Sequence, residues 1–167
     1  MNSLFETERL RIRALVDSDM EGMMGAYGDL DAMKYVGDGT ALSAEDCKRW
    51  IAITDNNYRT RGYGMSCIVL KGSGETVGFC GLTHPGNQAD PEYKYTLHRQ
   101  FWNFGFATEA GRGMVAYAQN ELGLTRIIAT VDAGHTVSHN VLRKCGFTHE
   151  STGPEEDGSA TALWSIK

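Results

Sequence analysis

Phe101-Trp102-Asn103-Phe104-Gly105-Phe106-Ala107-Thr108-Glu109-Ala110 is the stretch on which the fold turns. Before it, residues 92–98 read as a strand. After it, residues 106–122 read as a helix, with Gly123 placed to end it. Between the two, Gly105 is free to adopt a positive φ, and Ala107 permits close approach of a backbone or ligand. A strand that gives way to a helix through so short a turn presents unpaired backbone N–H groups and the positive end of a helix dipole. Phosphate oxygens are favoured there. A lone glycine reads first as an ordinary connecting turn, so the surroundings must decide.

Outward toward the C-terminus, residues 126–131 form a β-branched strand, and a helix over 137–144 stops at Gly146. Strands over 147–150 and 160–166 flank a polar loop, 151–159. Toward the N-terminus, Leu10, Ile12 and Ala14 alternate with Arg9, Arg11 and Arg13, a half-buried strand. Asp17 is expected to cap a short helix carrying Met20, Met23 and Met24. Ser43 opens a second helix, with Glu45 and Asp46 in its first turn and Cys47, Trp50, Ile51 and Tyr58 at core spacing. Residues 65–70 and 76–82 are strands joined by a glycine-bearing hairpin loop, and 85–91 is a loop. This order predicts an α/β (α+β) chain, with one mixed, mostly antiparallel sheet and helices on both faces. At 167 residues, a single domain over 1–167 is expected.

Composition excludes several classes. A net charge of −5 disfavours phosphate-backbone binding, so no nucleic-acid partner is expected. No apolar run approaches the roughly 18 residues of a membrane span. Residues 1–6 are acidic and lack a signal-peptide layout, and the four cysteines form no Cys-x-x-Cys, which together point to reduced thiols and the cytoplasm. The histidines lack metal-ligand spacing apart from His135 and His139, which have no carboxylate motif beside them, so no metal is expected. Gly111-Arg112-Gly113 imitates part of a dinucleotide fingerprint, but inside a helix, where it reads as close packing. Tyr93 and Tyr95 share one strand face, with Lys94 opposite; they either line a pocket or pack in the core.

Three segments carry a resemblance. Trp102-x-x-Gly105-x-Ala107-Thr108-Glu109-Ala110 is similar to the acetyl-CoA motif of GNAT-family N-acetyltransferases of the RimJ/RimL-like, ribosomal-protein branch. Thr7-Glu8-Arg9-Leu10-Arg11-Ile12-Arg13 resembles the opening strand of that branch, and the stretch from Val137-Ser138 to Gly146-Phe147 resembles its Ala-Ser-x-Arg-Val-Leu-x-Lys-x-Gly-Phe ending. The resemblance implies the GNAT (acyl-CoA N-acyltransferase) fold, with acetyl-CoA as cosubstrate in a wedge between strands 92–98 and 126–131. It also implies direct attack by an amine, which fits the lack of any Cys/His or Ser/His/Asp signature.

By the same resemblance, the strand edge at Thr96, Leu97 and His98 bonds the pantetheine arm. The N–H groups of Phe104, Gly105, Phe106, Ala107 and Thr108, with Trp102 beside them, hold the pyrophosphate. Glu92 stands where the family has a base, though it also reads as a strand-end carboxylate. Ser138 matches a serine near the CoA sulfur, a role compatible with capping a helix. The family's pantetheine-contacting asparagine is His135 here. Asn103, Phe104 and Asn140 replace a glycine, a basic residue and an arginine. The implied acceptor is a protein or peptide N-terminal amine. A small amine such as an aminoglycoside, polyamine or metabolite is the alternative, and a CoA-binding module with little catalysis is a third reading. A homodimer follows by analogy with the branch, though no sequence feature demands it.

Overall fold

A computed structural model describes residues 3–36 and 39–167. Met1 and Asn2, part of the stretch that lacks a signal layout, lie outside the described residues. Eight strands form one sheet in the order β1-β2-β3-β4-β5-β6-β8-β7. They are β1 (Ser3–Glu6), β2 (Leu10–Ala14), β3 (Met65–Leu70), β4 (Thr76–Thr83), β5 (Glu92–Leu97), β6 (Ile127–Asp132), β7 (Thr148–Pro154) and β8 (Ala160–Ile166). The helices are α1 (Met20–Tyr27), α2 (Leu30–Met33), α3 (Ala44–Arg61), α4 (Phe106–Asn120) and α5 (Thr136–Lys144). Every strand pairing is antiparallel except β5 with β6. The expected fold class, a mixed and mostly antiparallel sheet with helices on both faces, is the one observed.

Two cores arise from strand alternation. On one face, Leu10, Ile12, Ile68 and Leu82 pack with Ala110, Met114 and Ala118 of α4 and Val141 and Leu142 of α5. On the other, Cys67 and Phe79 meet Met23 and Tyr27 of α1 and Cys47 and Ile51 of α3. In α4, a Cβ on Gly111 would lie 2.6 Å from the Cys145 sulfur, and one on Gly113 would lie 2.5 Å from the Phe5 ring. Both glycines therefore serve close packing against β1 and α5, as the sequence suggests.

Some local expectations fail. Asp17 does not cap α1; residues 17–19 form a 3-10 turn. The nearby carboxylate at work is that of Asp19, which accepts the Val16 N–H at 2.9 Å and both guanidinium nitrogens of Arg13 at 2.7 Å. β1 and α2 have too few periodic residues to be read from the sequence. β7 runs on to Pro154 through Ser151, Thr152 and Gly153, residues that look like a loop, because β8 supplies a partner strand. By contrast, α3 starts as its sequence demands: Ser43 Oγ accepts the Asp46 N–H, and the Asp46 carboxylate accepts the Ser43 N–H. Helix α4 ends near its expected place, where Gly123 takes φ +66° and the Leu124 N–H returns to the Ala118 carbonyl.

The parallel pair positions the site. β5 and β6 share one paired position, Glu92 with Ile128, secured by the Ile128 N–H to the Pro91 carbonyl at 2.9 Å. Beyond it, β6 stays with β8 over its whole length while β5 stays with β4. The two central strands therefore part company, and a gap opens between them.

Candidate active site

The gap leads to the start of α4. Asn103 and Gly105 both take left-handed φ, +66° and +81°. Asparagine tolerates that region better than most residues, which explains how it stands where a glycine was expected. Gly105 is the helix N-cap and offers no side-chain acceptor. The first helical bond runs from the Glu109 N–H to the Gly105 carbonyl at 3.0 Å. The N–H groups of Phe106, Ala107 and Thr108 thus have no acceptor among the described residues. Three convergent donors at a helix N-terminus form an anion site.

This helix start is clamped from outside. Glu109 accepts the Thr7 hydroxyl at 2.6 Å, the Arg9 N–H at 2.8 Å and the Arg9 Nε at 2.7 Å. Arg9 also donates to the Phe104 carbonyl at 3.0 Å and lies over the Phe106 ring. The segments 7–13 and 101–110 are therefore one structural unit, a link that their separation in sequence conceals. Beside it lies an open cavity of about 600 Å³ lined by Arg9, Gly105, Thr108, Arg112 and Lys144 among others. Its lining is mixed in charge, with Arg9, Arg112 and Lys144 set against Glu8 and Glu109, so the attraction for phosphate comes from the uncapped helix.

Along the open edge of β5, alternation sorts the backbone groups. The His98 N–H bonds the Val77 carbonyl of β4, whereas the Pro91 carbonyl faces β6. Odd-numbered residues therefore turn their N–H and C=O toward the gap: Tyr93, Tyr95 and Leu97. Of the expected trio, only Leu97 presents backbone to the gap, and Trp102 Nε1 bonds its carbonyl at 3.1 Å. Thr96 and His98 turn their backbones to β4, a correction that comes from the two-residue period of the strand. The His98 side chain packs against Gly25 of α1, where burial lowers its pKa.

Glu92 and Ser138 flank the gap from opposite faces. Glu92 is buried on the α1/α3 face, where its Oε1 accepts Lys94 Nζ at 2.9 Å and the Thr130 hydroxyl of β6 at 2.5 Å. Gln88 Nε2 approaches Oε2 at 3.3 Å. On the α4/α5 face, Tyr95 reaches across the gap to Ser138, with the two hydroxyls 2.7 Å apart. Burial pushes the Tyr95 phenol up to about 12. Tyr95, which the sequence left between pocket and core, and Thr130, to which it gave no role, both stand at the candidate site. The Tyr93/Tyr95 spacing was the one available hint, and nothing in the sequence marked Thr130.

His135, N-cap of α5, stacks on Tyr35 with centroids 4.4 Å apart and planes 17° from parallel. Burial lowers its pKa, the neighbouring His139 adds to that, and Asp132 opposes it. Residues 29–36, a strap that holds α2 and carries Tyr35, are also tied to the other side of the gap, since Arg99 pairs with Asp29 and Asp31. All four cysteines are buried, and burial disfavours the thiolate, raising Cys67 and Cys145 to about 11. Among the described residues, no group of His, Cys, Asp and Glu is arranged to hold a metal, and no helix is long and apolar enough to cross a membrane.

Comparison with known proteins places this geometry. The profile of the acetyltransferase (GNAT) domain matches residues 9–148. A Bacillus subtilis (strain 168) protein named as an uncharacterized N-acetyltransferase, YoaA, is 30% identical over 153 residues, covering 90% of this chain and 85% of its own. The fold is shared with RimL, a ribosomal L7/L12 α-N-protein acetyltransferase solved with coenzyme A (TM-score 0.80, 14% identity, 99% of this chain and 97% of that one). It is shared equally with a Vibrio cholerae spermidine N-acetyltransferase solved with CoA and spermine (TM-score 0.80, 16% identity, 95% of each chain).

Proposed function

The chain belongs to the acetyltransferase (GNAT) domain family and is an acetyl-CoA-dependent N-acetyltransferase, and from that premise we propose that it acetylates a protein or peptide N-terminal amine by direct attack on the thioester. One observation carries the reading: a gap between β5 and β6 with an uncapped helix at its end, a carboxylate on one face and a hydroxyl pair on the other.

The N–H groups of residues 106–108 hold the diphosphate, and the backbone of Tyr95 and Leu97 meets the pantetheine arm. The amine approaches from the α1/α3 face. An α-amine titrates near ~8, so a useful fraction is neutral at pH 7. As its nitrogen bonds the acetyl carbon and the C–S bond breaks, the surplus proton passes to Glu92 through water, because Lys94 and Thr130 already occupy Oε1. The sulfur leaves toward Ser138. An alkyl thiol titrates near ~8.5, far below Tyr95, so Tyr95 keeps its proton. Tyr95 donates to Ser138 Oγ, which leaves the serine proton free to bond the thiolate.

The three sequence motifs support membership of the RimJ/RimL-like branch, and with it a cytoplasmic enzyme. The peptide reading over a polyamine one is favoured by Glu92 being neutralised by Lys94 rather than displayed as an acidic pocket. The test is CoA release from acetyl-CoA with a panel of peptide N-termini and small amines. Peptides are expected to be turned over with the higher kcat/KM. Turnover confined to polyamines or aminoglycosides contradicts the peptide acceptor, and CoA binding without turnover of any amine contradicts the enzyme.

A further inference from the structure

Lys94 is the one charged side chain that projects from the open stretch of β5, and its surroundings assign it a task. Strand alternation puts it on the α1/α3 face with Glu92 and Thr96, the face by which the proposed reaction takes in the amine. Its Nζ lies 2.9 Å from Glu92 Oε1. The two partners differ in exposure: the Glu92 side chain is 4% accessible, the Lys94 side chain 40%. A molecule entering from this face therefore meets the ammonium, not the carboxylate beneath it. An ammonium has three protons to donate, and one goes to Glu92.

Charged groups on the flanking elements have partners of their own. Arg99 is held by Asp29 and Asp31, Arg126 by Asp90 and Glu150. Lys34 lies over the Tyr35 ring at 5.1 Å, on the strap that stacks on His135. Asp132, at the far end of β6, accepts the Gly134 N–H. His84 is engaged by the Tyr63 hydroxyl and the Gln88 carbonyl.

We propose that Lys94 selects the acceptor, binding a carboxylate that the substrate carries close to its reacting amine. This deepens the proposed acetyl-transfer function and rests on it. The substrate class is then an amine with an adjacent acidic group: an α-amino acid, or a peptide whose first or second residue is acidic. A polycation finds no acidic pocket here, because Lys94 covers the Glu92 carboxylate. Lys94 acts here as a specificity residue, and it also fixes the Glu92 carboxylate in place.

The experiment uses the full chain, acetyl-CoA, and acceptor pairs that differ only in one charge: an amino acid against its amide, and Ser-Asp against Ser-Asn peptides. A charge-assisted hydrogen bond of this kind is expected to favour the acidic member by roughly tenfold in kcat/KM. Lys94→Gln should bring the ratio toward one with the KM for acetyl-CoA unchanged, and Lys94→Arg should keep most of the preference. Raising the salt should erode the wild-type ratio, a readout that stands even if Lys94→Gln folds poorly. CoA release with no preference in the wild type, or a preference that survives Lys94→Gln, overturns the role of Lys94 alone. No CoA release with any acceptor overturns the acetyl-transfer reading and this one with it.

Discussion

The two ends of the gap between β5 and β6 are built from different materials. At the α4 end, the groups offered to a ligand are backbone N–H groups, set by two left-handed residues, Asn103 and Gly105, and clamped through Glu109. At the Glu92 end, they are side chains drawn from four places: Gln88, Glu92, Lys94 and Thr130. A backbone site can change its residues and keep its chemistry so long as the φ angles hold. A side-chain site changes its chemistry with each substitution. The first therefore suits a cosubstrate common to a family, the second an acceptor particular to one member.

Substitutions can break that contrast, beginning with the largest. Glu92→Gln is expected to lower kcat by about 10²–10⁴-fold with CoA affinity unchanged, and Ser138→Ala by roughly a hundredfold, both read by single-turnover CoA release. Wild-type rates in both would remove the assigned roles while leaving the cradle intact. Gly105→Ala acts at the other end. A Cβ there has room, its nearest contact being Arg9 at 3.6 Å, so the cost is conformational. Holding alanine at φ +81° costs about 1–2 kcal/mol; the free turn escapes that strain by leaving the left-handed region, and re-forming it around CoA predicts up to roughly tenfold weaker binding by calorimetry, with kcat at saturation little changed. Glu109→Ala removes three hydrogen bonds from the clamp. Thermal denaturation should show a loss of about 2 kcal/mol, with weaker CoA binding because Phe104 loses its tether.

The smallest effect is on pH. Burial holds the His135 pKa below its ordinary value, so the folded chain prefers the neutral ring. That contribution is complete above the unfolded pKa of about 6.5 and is lost as pH falls below it. His135→Asn should therefore flatten the loss of Tm between pH 7 and pH 5. An unchanged slope would mean that other groups carry it.

The same contrast explains what could be read from the sequence. Gly105 and the run Ala107-Thr108-Glu109-Ala110 signalled the cradle because a left-handed turn and a helix start constrain residue type locally. The sheet was legible for a similar reason, since the alternation in 10–14 and the short apolar runs bounded by glycines in 65–70 and 76–82 are local properties. Tyr95 with Ser138, Thr130 with Glu92, and Arg9 with Glu109 were not legible as pairs. Each joins residues at least 38 positions apart, and only the fold brings them together. The backbone direction at Thr96 and His98 failed for a subtler reason: a strand's sequence does not say which edge its even residues face, and a shift of one reverses it.

The most direct test is a titration of the isotope-labelled protein with CoA, following each backbone amide by NMR. The largest shifts are expected at Phe106, Ala107 and Thr108, with a second group at Tyr95 and Leu97 and little change at Thr96 and His98. Saturable binding that leaves the amides of 106–108 unmoved, with its shifts gathered elsewhere, would contradict the cradle.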